Sequence, residues 1–207
     1  IIAPVKKADD DYQDVRVFAD AARQGIKLAK EAGAKRPLLL VNRLSEQRYE
    51  YAAQVAALAC GQELWQASEH REAGGGDEPL EAIGLLADEH HGDMLTAIEA
   101  GRVLARDLCG TEPERMSAPA FADYCLDSLK GSDLKISVVE DRDILERDYP
   151  LLSAVGRSSF AVLRHQPRVV KLEYVGDGPI EHTFLFAGKG VVYDTGGADL
   201  KIAGSMA

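Results

Sequence analysis

Apolar residues recur at three- and four-residue steps from Val15 through Phe18, Ala22 and Ile26 to Ala29. This is the spacing of one face of an α-helix, so the pattern predicts a helix over residues 14–32 that Gly33 is suited to end. Pro37 marks a boundary, and Leu38-Leu39-Leu40-Val41 is an apolar run of strand length. Residues 46–60 are alanine-rich, with Tyr49, Ala52, Ala53, Ala56 and Leu64 on a helical period, and a strand-like stretch is expected at 63–65. Helix alternating with short buried strand argues for an α/β layer arrangement.

Residues 70–79 hold Gly74-Gly75-Gly76 between charged residues, the composition of a flexible loop. A long helix is expected over 93–108, with Leu95, Ile98, Val103 and Leu104 as its apolar face. The segment 110–119 contains two prolines and reads as a connector, dividing the chain into an amino-terminal domain at 1–112 and a second domain from 113 to 207. A helix is expected over 120–129, ending at Lys130-Gly131. The remaining third reads as strands joined by turns, at 134–139, 168–174 and 182–186. No internal repeat or low-complexity tract interrupts this order.

A length of 207 residues and a hydrophobic share of 46% suffice for one large core or two modest ones. Lys and Arg number 24 against 34 acids, a formal charge of −10 that disfavours nucleic acid as a partner. No apolar run reaches membrane-spanning length, and no basic-then-apolar leader opens the sequence. Cys60, Cys109 and Cys125 lack paired spacing, which suits a reduced, cytoplasmic setting, and each is expected to fill core space as a small apolar group. The chain opens on Ile1 rather than Met, which suggests a processed or excised segment.

Candidate chemistry concentrates between residues 187 and 201, in the run Ala-Gly-Lys-Gly-Val-Val-Tyr-Asp-Thr-Gly-Gly-Ala-Asp-Leu-Lys. Lys189 and Asp194 stand five residues apart, Lys201 follows, and glycines allow close backbone approach. Three readings stay open on this spacing alone. One is phosphate binding, although the GxxxxGK order of a P-loop is absent. Another is a metal site with Asp194 as a hard oxygen ligand beside a neutral lysine amine. The third is a glycine-rich turn with solvated lysines. Elsewhere His90-His91 with Glu89 and Asp93 lacks HExxH spacing and reads as a solvated surface, and His70, His165 and His182 are isolated. Trp65, Tyr49 and Tyr51 suit packing or a subunit contact.

The run from Gly188 to Lys201 resembles the signature of the leucyl (cytosol) aminopeptidase family. That signature reads Gly-Lys-Gly, a hydrophobic residue, any residue, Phe or Tyr, Asp, Ser or Thr, Gly-Gly, three residues and Lys. Upstream, LARDLCGTEPERMSAPAFADYCLDSL resembles the family's linker and following helix, and YPLLSAVGRSS and PRVVKLEYVG resemble its next segments in order. The resemblance covers residues 95–207. It implies an amino-terminal α/β domain followed by the start of a mixed-sheet zinc-peptidase domain.

By position, the resemblance implies that Lys189 ligates one of two metal ions through its neutral amine and that Asp194 bridges them. Lys201 stays protonated and polarises the scissile carbonyl. The implied reaction is hydrolysis of the first bond of a peptide substrate at a two-zinc site, with Mn2+ or Mg2+ as exchangeable occupants. The family's other ligands follow this stretch, so the chain by itself is expected to be inactive and completed by a complementary carboxy-terminal segment. Homo-hexamers are implied for the full enzyme. Gly110 and Glu114 stand where the family's linker usually has Asn, a departure that suggests a divergent branch. A non-catalytic, aminopeptidase-like structural or interaction protein is the alternative.

Overall fold

Helix α1 (Arg16–Glu31) forms because Phe18, Ala19, Ala22, Ile26 and Ala29 share one face and are buried there. It stops at Gly33, whose φ of 81° suits a residue without a Cβ. The N–H groups of Gly33 and Ala34 return to the carbonyls of Lys30 and Ala29 at 2.9 and 3.0 Å, the Schellman closure. These coordinates are a computed structural model that describes residues 1–5, 11–42, 44–74, 80–86 and 91–192. The chain divides into two compact units, Ile1–Gly110 and Thr111–Ala207.

In the first unit, α2 (Ala52–Leu64) lies on α1 through Ala52, Ala56, Ala59 and Cys60, small residues that let the two backbones approach. The stretch expected as one helix from residue 46 is broken. A 3-10 turn at Gln47–Tyr49 precedes α2 and drops Tyr49 into the core, edge-on to Phe18 with ring centroids 5.7 Å apart. No strand forms at 63–65: Glu63 and Leu64 are the last turn of α2, and Trp65 caps it in extended backbone. Strands β1 (Leu38–Leu39) and β2 (Gly84–Leu85) pair in parallel, with Leu38 opposite Gly84 and Leu39 opposite Leu85. Leu39, Val41, Leu80 and Ile83 pack against the α1–α2 core, which makes this an α/β unit.

Two further helices depart from expectation. Residues 70–72, expected in a loop, belong to α3 (Ser68–Glu72), which buries none of its own residues. Gly74 beyond it has φ 66°, whereas Gly75 and Gly76 lie outside the described residues. Helix α4 (His91–Gly110) buries Leu95, but Ile98 is exposed. The row turned toward α2 is Leu95, Glu99, Arg102 and Arg106, spaced by three and four residues. Arg102 Nη1 donates to the Leu58 carbonyl at 2.9 Å, and Arg106 and Arg102 both pair with Glu99. Val103 and Leu104 of the expected apolar face are half-buried, and the long stems of these charged side chains add to the covering.

In the second unit, β3 (Lys135–Val139) and β4 (Val169–Glu173) form an antiparallel pair running from Lys135 opposite Glu173 to Val139 opposite Val169. Helix α5 (Ala118–Ser128) starts with Pro119 in its first turn and buries Ala122 and Cys125. Between the strands the chain is helical rather than made of further strands. Asp141 caps α6 (Arg142–Asp148) by accepting from the Ile144 N–H at 3.0 Å, and Leu145 is fully buried. Pro150 opens α7 (Pro150–Gly156), and 3-10 turns follow at Ser159–Ala161 and Leu163–His165. Cys60 and Cys125 are buried as expected, but Cys109 is exposed on α4.

Candidate metal centre

The chain leaves β4 at Glu173 and turns through Gly178, whose φ is 95°. From there to residue 192 it follows no regular element. The strand expected at 182–186 does not form, because among the described residues no neighbour pairs with it, and an extended segment becomes a strand only when its N–H and C=O groups find a ladder. Phe184 and Phe186, two residues apart and therefore on one side, stack with ring centroids 6.5 Å apart. They are 77% and 93% exposed, so this stacked pair faces water.

Lys189 follows directly and is exposed. The flanking Gly188 and Gly190 stand in open space, where an added Cβ would meet nothing within 4 Å, so no close approach demands glycine at either position. Asp194 and Lys201 lie outside the described residues, and so do Gly196 and Gly197. Of the three expected site residues the structure therefore places one. Among the described residues no group of three or more His, Cys, Asp or Glu side chains is arranged to hold a metal ion. His91 opens α4 with its Nδ1 buried and without a hydrogen-bond partner, while His90 is not described.

Sequence reasoning passed over a polar cluster in the second unit. Glu114, on the connector, accepts from Arg164 Nε and lies 2.7 Å from His165 Nε2. Its carboxyl is held below the usual carboxylate range, first by the hydrogen bond with His165 and then by that with Arg164. All three side chains face solvent, so water screens the arrangement. The signal available in the sequence was the acidic residue at the linker position where Asn is usual. Its partners sit 50 and 51 residues away, beyond any local pattern.

Residues 103–207 match the model of the cytosol aminopeptidase family, catalytic domain. A Caenorhabditis elegans protein provisionally named an aminopeptidase, W07G4.4, is 37% identical over 212 residues, covering 100% of this chain and 40% of its own. The probable cytosol aminopeptidase of Streptomyces coelicolor is 29% identical over 220 residues, covering 97% of this chain and 40% of its own. The chain thus spans about 40% of the length of these curated relatives. Among solved structures, the bottromycin maturation enzyme BotP in complex with Mn shares the fold, with a TM-score of 0.60 at 23% identity over 80% of this chain and 34% of that one. Among the described residues no helix is long and apolar enough to cross a membrane. With half of its residues matching the catalytic-domain model, the chain belongs to the cytosol aminopeptidase family.

Proposed function

We propose that this chain is part of a metallo-aminopeptidase that removes the amino-terminal residue from peptides in the cytoplasm. The observation that carries this reading is the run holding Lys189, Asp194 and Lys201, which falls inside the residues that match the family's catalytic domain. A neutral amine and a carboxylate are donor types that Zn2+ and Mn2+ both accept. Lys189 and Asp194 would hold the metal ions, which supply Lewis-acid activation and a nucleophile at neutral pH when bound. Lys201, kept charged, would stabilise the oxyanion that develops on the scissile carbonyl. Two protein donors fall short of the coordination that two dications need, so the remaining ligands are assigned to a complementary carboxy-terminal segment. The chain by itself is then inactive, and the hexamer is the proposed assembly of the full protein. The manganese in the neighbour of the same fold supports a metal site, and zinc remains our first choice.

The test uses the protein at the length of its relatives. Asp194→Asn is expected to abolish peptide hydrolysis and to lower the metal content measured by elemental analysis. Lys201→Ala is expected to leave the metal in place and reduce kcat about a hundredfold or more, the usual loss for one oxyanion donor. Full activity with undiminished metal in Asp194→Asn would remove the assignment. A non-catalytic role would appear instead as intact folding with no peptide hydrolysis by the unaltered protein.

A further inference from the structure

Among the described residues Asp107 is the only buried carboxylate, 2% exposed in the last turn of α4. Its two oxygens serve different elements. Oδ1 accepts from the indole Nε1 of Trp65, which caps α2, at 2.9 Å. Oδ2 accepts from Arg71 Nη2 of α3 at 2.8 Å. The indole is set between two further residues of the same turn. The Arg106 guanidinium stands 5.7 Å from its centroid, and a Cβ on Gly110 would touch its Cη2 at 3.4 Å. Arg106 is itself tied to Glu99.

Helix α3 differs from α2 in what holds it. It has five residues and buries none of them. A helix of that length has no stability of its own, because it makes too few hydrogen bonds to offset nucleation. From it Arg71 Nη1 donates to the Gln66 carbonyl at 2.6 Å and Nη2 to Asp107 at 2.8 Å. The Arg71 side chain is 40% exposed and that of Asp107 is 3% exposed, so water and salt reach the latch from the arginine side only.

We propose that Asp107 is a positioning residue that works as a two-sided latch, fixing Trp65 through one oxygen and holding α3 onto α4 through the other. The two roles separate chemically. The oxygen facing the indole needs only to accept a hydrogen bond, which an amide does as well as a carboxylate. The oxygen facing Arg71 works as a charge, and losing the charge weakens that contact by about half. Helix α3 is therefore a strap whose local opening, without unfolding of the α1–α2 core, the Arg71–Asp107 pair opposes.

Hydrogen exchange and the fluorescence of the single tryptophan, measured on the full chain, test this directly. The reporters are the amides of His70, Arg71, Ala73 and Gly74, which close the α3 turns. Arg71→Gln and Asp107→Asn are each expected to speed their exchange about tenfold or more, the scale of one hydrogen bond to a charged group, with unchanged Trp65 emission. Asp107→Ala is expected to release both sides, adding a red shift and easier acrylamide quenching. Raising salt should accelerate α3 exchange in the unaltered protein and not in Arg71→Gln. Wild-type exchange at these amides in Arg71→Gln would overturn the latch, and so would an acceleration spread equally over α1 and α2. If Asp107→Ala fails to fold, the Arg71→Gln and salt results decide alone.

Discussion

The ring of Pro167 occupies the space that a side chain on Gly156 would need: a Cβ built there would lie 2.5 Å from Pro167 Cγ. Gly156 is the last residue of α7, so alanine should raise helix propensity there by about 1 kcal/mol. The contact outweighs that gain. A proline ring cannot swing aside as the end of a long side chain can, and forcing atoms into filled space costs about 1–3 kcal/mol. Gly156→Ala is expected to lower the urea midpoint of the second unit. An equal or higher midpoint would mean that residues 156 and 167 move apart without cost.

Gly61 offers the useful contrast. A Cβ there would meet Glu99 Cδ at 2.6 Å, but Glu99 is the end of a flexible side chain whose give is limited only by its pairs with Arg102 and Arg106. These relationships divide what the sequence makes legible from what it hides. Helices α1 and α5 follow from local periods because each buries one face, and strands β3 and β4 follow from their apolar residues, although Leu172 of β4 is exposed. Helices α6 and α7 have seven residues each, too few to display a period, although Asp141 before one and Pro150 opening the other are the start signals their sequences carry. The apolar face of α4 was legible in Leu95, Val103 and Leu104 but not the charged row beside it. Its contacts with α2 run through charged side chains whose partners are distant, as Trp65 and Asp107 are 42 residues apart. Strand 182–186 misled for a related reason, since an apolar segment before a glycine turn can pair but does not supply the pairing strand. The run from Gly188 to Lys201 was legible as a family signature because its spacing is local, and it falls inside the residues that match the catalytic-domain model.

The cysteines provide a prediction with a defined pH window. Burial pushes the Cys60 thiol up to about 11, and burial raises that of Cys125 as well. A thiol in the unfolded chain ionises near about 8.5. Between these values the folded chain keeps a proton that the unfolded chain has lost. The stabilisation is therefore complete below about 8.5 and falls as pH rises toward 11. Stability measured from pH 8 upward should decline less steeply in Cys60→Ala than in the parent chain. Under native conditions iodoacetamide should modify Cys109, which is exposed, and spare Cys60 and Cys125 until the chain unfolds. Rapid native labelling at Cys60 would show that α1 and α2 open more readily than their packing implies.

The stacked pair Phe184 and Phe186 leads to the last prediction. Together with Leu185, 93% exposed, these residues present an apolar surface between Gly178 and Lys189. Among the described residues nothing covers that surface, and no backbone hydrogen bond outside regular elements lies beyond Gln166. A protease needs a stretch of unpaired extended chain to seat a substrate, and cleavage tracks local opening rather than global unfolding. Brief chymotrypsin treatment should therefore cut first at Phe184, Leu185 or Phe186, before any site in α1, α2 or α5. The fragment ending near β4 should then resist further digestion. Apolar residues so displayed should also drive self-association, so Phe184→Ser with Phe186→Ser is expected to raise the concentration at which the chain stays monomeric. In the protein at the length of its relatives, a complementary segment pairing with 182–186 should slow these cuts markedly. Equal cleavage rates in the short and long proteins would show that this stretch remains outside the sheet even when the remaining polypeptide is present.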